Sequence, residues 1–240
     1  MSAIHVLSSS LLVLLLALVP LGCAPESLGD DPHDPSPPDP GDYDCTSLPD
    51  TLAAETTIEG ARAYKGLAFD NDGDIVGNDE SSLIKSSYSG DWRVFVPGVG
   101  TVEGMVYLPD GDLIVTTSWD DGHMRRITPS GGTTVLVHGL NAYSVVLGPD
   151  GLLYAAGWDG AFRVDPDTGD VDTLMETGHS APWSARTLAF SAQLDRLYIG
   201  TVDDDGRIFY WDLDEDLEPI GEPREFVSGV GRGWHDGLGM

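Results

Sequence analysis

The chain has 240 residues, 41% of them hydrophobic, which is enough for one domain with a sizeable core. Its formal net charge of −28 repels nucleic acid and anionic lipid, so both are disfavoured as partners. The acidic balance keeps an extracellular protein soluble, and it leaves divalent cations and basic partners open.

The N-terminus reads as an export signal over residues 1–22. Leu11 to Leu21 is an apolar run broken only by Ala17 and Pro20. It is too short to span a bilayer and fits the hydrophobic stretch of a signal peptide. Pro20-Leu21-Gly22-Cys23 follows and resembles the bacterial lipobox, in which the cysteine receives lipid; this implies lipidation at Cys23. Cleavage after Ala24 by an ordinary signal peptidase is the alternative. The chain has two cysteines, Cys23 and Cys45. A lipidated Cys23 leaves Cys45 without a partner in this chain. An unlipidated Cys23 allows a bridge to Cys45 that would staple only linker.

Residues 23–55 hold the lipid-attachment site and a tether. Pro25, Pro32, Pro35, Pro37, Pro38 and Pro40 alternate with Asp30, Asp31, Asp34, Asp39, Asp42 and Asp44. Proline removes backbone donors and aspartates repel one another, so no core forms here. The segment is expected to stay extended, at up to about 3.1 Å per residue where it is polyproline-like. The localisation this implies is export to the cell envelope, with attachment to a bacterial outer membrane or cell surface through lipid alone.

Residues 56–240 carry a repeat. Gly66-Leu67-Ala68-Phe69 leads to Asp72-Gly73-Asp74-Ile75-Val76, and Gly104-Met105-Val106-Tyr107 leads to Asp110-Gly111-Asp112-Leu113-Ile114. Ser144 to Leu147 leads to Asp150-Gly151-Leu152-Leu153-Tyr154, and Thr187 to Phe190 leads to Leu194 to Ile199. Each unit opens with a short apolar strand, and Asp-Gly supplies the positive φ angles of a tight hairpin into a second strand. A third strand is expected at Met124 to Ile127, Ala161 to Val164 and Arg207 to Trp211, and a fourth at Thr133 to Val137 and Val171 to Met175. Four antiparallel strands per roughly 40 residues predict an all-β fold, a β-propeller of four-stranded blades. An all-β sandwich is the rival, but sandwiches do not usually repeat their turn chemistry at a fixed period.

The last residues begin the unit again. Phe226-Val227-Ser228-Gly229-Val230-Gly231 echoes Phe95-Val96-Pro97-Gly98-Val99-Gly100, and Asp236-Gly237-Leu238 echoes Glu103-Gly104-Met105. About four complete blades and the start of a fifth are therefore expected. Such a propeller reads as part of a longer one, because four blades and a stub leave sheet edges and apolar faces uncovered.

These units resemble the β-propeller superfamily of the regucalcin/gluconolactonase-like and NHL-repeat type, over residues 61–240. The resemblance implies a six-bladed fold and a channel faced by the residue just before each blade-opening glycine. Those residues here are Lys65, Glu103, Tyr143, Arg186 and Asp236. In gluconolactonase-like members some of them hold a divalent metal, such as calcium or zinc, that polarises a lactone or ester carbonyl and activates water. Glu103 and Asp236 match such ligands in type. Tyr143 and Arg186 stand where asparagine ligands would be, and an arginine there opposes cation binding by Coulomb repulsion.

Other features carry less. Trp119-Asp120, Trp158-Asp159 and Trp211-Asp212 are not WD-repeat signatures; Trp119 and Trp158 occupy equivalent places and form either an aromatic rim or blade-to-blade packing. Asp70-Asn71-Asp72-Gly73-Asp74 begins like a calcium loop, but Ile75 stands where that loop needs glycine. His123, His138, His179 and His235 share no ligand spacing. Two functions follow. One is an envelope-anchored lipoprotein that binds a protein, glycan or small ligand, with the five residues as a mixed polar site for an anionic or zwitterionic group. The other is a metal-dependent lactonase or ester hydrolase.

Overall fold

The computed structural model describes residues 65–79, 81–87, 90–117, 122–176, 184–202 and 206–229. The signal, Cys23, the tether, Cys45, Trp119 and Asp236 lie outside them. The described residues belong to one compact unit, Gly60–Met240, and among them every regular element is a strand.

Sixteen strands form four consecutive four-stranded antiparallel sheets. The first holds β1 (Leu67–Phe69), β2 (Ile75–Asp79), β3 (Ser82–Ser86) and β4 (Trp92–Val96). The second holds β5 (Val102–Tyr107), β6 (Leu113–Thr117), β7 (His123–Ile127) and β8 (Thr133–His138). The third holds β9 (Ala142–Leu147), β10 (Leu153–Gly157), β11 (Gly160–Val164) and β12 (Val171–Glu176). The fourth holds β13 (Ser184–Phe190), β14 (Arg196–Val202), β15 (Arg207–Leu213) and β16 (Pro219–Ser228). Within each sheet, strands pair in chain order, which is the up-and-down pattern of a propeller blade. The first strands of successive sheets lie side by side: β1 by β5, β5 by β9, β9 by β13.

The Asp-Gly hairpins form, with a correction. Among their residues only the glycines have positive φ, at 82° for Gly73, 91° for Gly111 and 82° for Gly151. In the second sheet Leu108 donates to the Asp112 carbonyl and Gly111 to that of Leu108, so the loop is Pro109-Asp110-Gly111. This is a three-residue loop ending in a left-handed glycine, not a two-residue turn with both φ positive. The aspartate instead accepts a bond from the amide two residues on, as Asp110 does from Asp112 at 3.0 Å.

Alternation along each strand sends one row of side chains to the preceding sheet and one to the next. Val76, at 0% exposure, clusters with Met105, Leu113 and Val115 of the second sheet. Ile114 clusters with Val145, Leu153 and Ala155 of the third, and Tyr154 with Leu188, Leu197 and Ile199 of the fourth. Val76, Ile114 and Tyr154 hold the same register position in their sheets. Full burial of a side chain of this size is worth about 1.5–3 kcal/mol, so these rows carry much of the stability between sheets.

Beside each row, the third strand supplies a cation: Lys85 opposite Val76, Arg126 opposite Ile114, Arg163 opposite Tyr154. Arg126 binds Asp110 and Asp112 of its own sheet and reaches the Pro166 carbonyl and Asp167 of the next. Arg163 binds Asp172 of its own sheet and Glu218 of the next, at 2.8 and 2.7 Å. Lys85 binds Asp70 and Asp74. Burial raises the Asp70 carboxyl, but the Lys85 ammonium and the amides of Asp74 and Asp72 more than offset this and hold it below its ordinary 3.8. A carboxylate with a depressed folded value stabilises the fold above its unfolded value, and that contribution disappears as pH falls through the folded one. An Asp70→Asn chain is therefore expected to melt below the natural chain at pH 6, with the gap closing as pH falls below the ordinary carboxylate value of 3.8. A gap that stays constant over this range in thermal melts would refute the assignment.

Candidate functional site

The end of each first strand is built the same way. Val102 pairs with Thr117 and Gly104 with Thr116, so the register shifts at Glu103, the extra residue of this strand. Ala142 pairs with Gly157 and Ser144 with Ala156, leaving Tyr143. Ala185 pairs with Thr201 and Thr187 with Gly200, leaving Arg186. Each is a β-bulge, which releases one side chain from the alternation and re-aims it. Lys65 holds the matching position in the first sheet, two residues ahead of Leu67 as Glu103 is ahead of Met105.

The bulges bring side chains together across sheets. The Lys65 Nζ lies 2.7 Å from Glu103 Oε2. The Glu103 side chain is 2% exposed and that of Lys65 is 37% exposed, so a buried carboxylate is neutralised by a cation that reaches solvent. The Arg186 guanidinium lies over the Tyr143 ring, 3.8 Å from its centroid. Burial raises the Tyr143 phenol; Arg186 opposes this, while Glu103 and Asp159 add to it, so the phenol stays protonated at neutral pH. Four of the five residues singled out in the sequence thus form two pairs linked electrostatically through Glu103 and Tyr143, and Asp236 lies outside the described residues. Asp159, in the turn between β10 and β11, joins the set electrostatically. Sequence reading weighed it only as part of a Trp-Asp pair, although its place one strand over from Tyr143 follows from the hairpin register.

The described residues do not suit a divalent cation. Glu103 is the one carboxylate among the four, and Lys65 already holds it, while Arg186 puts a second positive charge in the set. Among the described residues no three His, Cys, Asp or Glu side chains gather as a metal site. The aspartates of the calcium-like stretch serve the Asp70 turn and the Lys85 ion pairs. Of the tryptophans, Trp158 is 47% exposed at the β10–β11 turn, and Trp211 is 2% exposed within the core between the third and fourth sheets. His123 and His138 face each other across β7 and β8 with rings edge to face at 5.0 Å. Their spacing in sequence hid this pairing, which the hairpin register reveals.

No family model matches the chain, and no curated protein matches it. Solved structures do. A gluconolactonase from Xanthomonas campestris is 15% identical with a TM-score of 0.60, over 71% of this chain and 64% of that one. An auxiliary nutrient binding protein from Bacteroides ovatus is 14% identical with a TM-score of 0.55, over 73% and 43%. A calcium-binding regucalcin from Agrobacterium tumefaciens is 16% identical with a TM-score of 0.50, over 65% and 58%. The chain therefore spans less than two thirds of each of these proteins. At such identities the likeness is one of fold, and the fold is the β-propeller.

Proposed function

We propose that the chain is an exported ligand-binding β-propeller whose site is the set formed by Lys65, Glu103, Tyr143 and Arg186, with Asp236 as its fifth member. The observation that carries this reading is the pairing across repeats: two cations, one carboxylate and one neutral phenol, three of them on bulges and Lys65 just ahead of β1. With two cations and one carboxylate, the four side chains carry a net positive charge within a chain of net charge −28. That contrast favours a small anionic or zwitterionic ligand, free or displayed on a glycan or protein. Lys65 is the group such a ligand meets first. Arg186, held over the Tyr143 ring, offers the planar donors of a guanidinium, which suit a carboxylate.

Isothermal titration with D-gluconate, D-galacturonate and glycine betaine tests this reading. At least one is expected to bind, and Lys65→Met and Arg186→Met should each weaken it about tenfold or more. Absence of binding for all three, or binding untouched by both substitutions, sinks it.

The propeller shared with a gluconolactonase supports a second reading, a metal-dependent lactonase with Glu103 and Asp236 among its metal ligands. Calcium- or zinc-dependent hydrolysis of D-glucono-1,5-lactone, lost with EDTA and in Glu103→Gln, would favour it over the first.

The apolar run before Cys23 and the Pro/Asp segment after it support attachment of the binding domain to a bacterial envelope by lipid. In a bacterial host, radiolabelled palmitate is expected to enter the natural chain and not a Cys23→Ser chain. Equal labelling, or none, would reject the anchor.

A further inference from the structure

One cation of the second sheet stands where the other sheets are apolar. Arg125 of β7 pairs with Val115 of β6. The same register position holds Ile84, Phe162 and Phe209 in the first, third and fourth sheets. Along β7, Met124 and Arg126 face the third sheet, where Met124 joins the core and Arg126 reaches Asp167. Arg125 therefore shares the opposite face with Ile127, which is fully buried in the cluster against the first sheet. A half-buried guanidinium is thus set into an apolar row.

Its charge is not met by the fold. Lys65, Lys85, Arg126, Arg163, Arg196 and Arg224 each hold a carboxylate. Among the described residues no carboxylate pairs with Arg125, and its Nε is buried without a hydrogen-bond partner. His123 lies two residues back on the same face, about 6.6 Å along the strand. Its Nδ1 is likewise buried and unbonded. Opposite it, His138 is exposed, and the two rings stand edge to face at 5.0 Å. A buried polar nitrogen without a partner is costly, so two of them on one face call for a group that bonds both.

We propose that His123, Arg125 and His138 form an oxyanion site for a phosphate or sulfate group, on the third and fourth strands of the second sheet. The Nε of an arginine and its neighbouring Nη donate side by side to two oxygens of such a group. An imidazole donates from either nitrogen according to its tautomer, and from both when protonated. A metal ion between the two imidazoles is disfavoured, because Arg125 sets a positive charge beside it. The site is separate from Lys65, Glu103, Tyr143 and Arg186, which stand on or just ahead of the first strands of their sheets.

The test titrates the full chain, labelled at histidine, with inorganic phosphate, sulfate and D-glucose 6-phosphate at an ionic strength held constant with chloride. The imidazole resonances of His123 and His138 are expected to shift together and to saturate with at least one of the three. Equal affinity for phosphate and its ester marks a free ion as the ligand, and an ester bound more tightly marks a group carried on a larger molecule. Arg125→Leu, which restores the apolar character of the other sheets, should weaken binding about tenfold or more. It should also melt no lower than the natural chain in chloride alone. His138→Asn, at an exposed residue, should weaken binding as well and serves if the leucine chain fails to fold. Lys65→Met should leave these shifts unchanged. Absence of saturation with all three anions, or affinities untouched by both Arg125→Leu and His138→Asn, would overturn the proposal. So would shifts at both imidazoles with zinc chloride and none with the anions, because the pair would then be a metal site.

Discussion

A Gly157→Ala chain is expected to melt about 6–12 °C below the natural one, the shift that a loss of roughly 3 kcal/mol produces in a domain of this size. Gly157 ends β10 opposite Ala142, immediately beside the bulge that frees Tyr143. A methyl group there would sit 2.1 Å from the Asn141 carbonyl oxygen, 2.9 Å from its carbon and 3.0 Å from the Ala142 Cα. All three atoms are backbone, so no side chain can turn aside to make room. The same carbonyl accepts the Trp158 amide at 3.1 Å, which ties the β10–β11 turn to the obstruction. Relief requires the start of β9 to move away from β10, carrying Tyr143 from beneath Arg186. Ligand affinity should therefore fall with stability. Gly151→Ala is the control: the space around it is open and only its φ of +82° is unfavourable, at a cost of about 1 kcal/mol. Equal melting temperatures for the two variants would show that the close approach at Gly157 has been misjudged.

The second large effect is expected at Tyr154. Its side chain is wholly buried, its ring meets Phe190 of the fourth sheet edge-on at 4.9 Å, and its hydroxyl donates to Asp150 Oδ2 at 2.8 Å. Burial, reinforced by Asp150, raises the phenol above its ordinary value and keeps it a donor. Tyr154→Ala removes the ring that joins the third and fourth sheets and is expected to cost about 3–5 kcal/mol. Tyr154→Phe removes the hydroxyl that bonds Asp150 and Arg163 and should cost about 1–2 kcal/mol, since Asp150 keeps its bond from the Leu152 amide and Arg163 its pairs with Asp172 and Glu218. Urea unfolding separates the two: the midpoint should fall far more for alanine while the slope stays constant. A phenylalanine variant as unstable as the alanine one would place the energy in the hydroxyl instead of the ring.

Much of the fold was legible because its signals are local. Alternating apolar residues and Asp-Gly turns mark each hairpin without reference to distant chain. Strands read from sequence differ from the observed ones by a residue or two at their ends, as at His123, His138, Gly160 and Glu176. Hydrogen bonds from the partner strand extend pairing past the apolar pattern there. The candidate site was legible as a set of positions and not as an arrangement. The residue before the blade-opening position, held by Gly66, Gly104, Ser144 and Thr187, is easy to find. That it is the extra residue of a bulge depends on register, which sequence alone specifies weakly. The pairing of Lys65 with Glu103, and of Arg186 with Tyr143, depends on how sheets pack. The row Lys85, Arg126, Arg163 occupies one repeat position, but the bonds of Arg126 and Arg163 to the following sheet depend on packing that the repeat does not specify.

The bulges also bear on how such a protein changes over generations. Four repeats present lysine, glutamate, tyrosine and arginine at one backbone position, three of them as the extra residue of a bulge, while further along the second strand three of the repeats keep a buried apolar or aromatic side chain, Val76, Ile114 and Tyr154. The extra residue of a bulge stands outside the ladder, so its exchange, together with that of the side chain it pairs with, breaks no ladder bond and takes nothing from the apolar rows. The scaffold thereby separates inheritance from innovation: the apolar rows must keep their volume, while recognition chemistry is free to drift one repeat at a time.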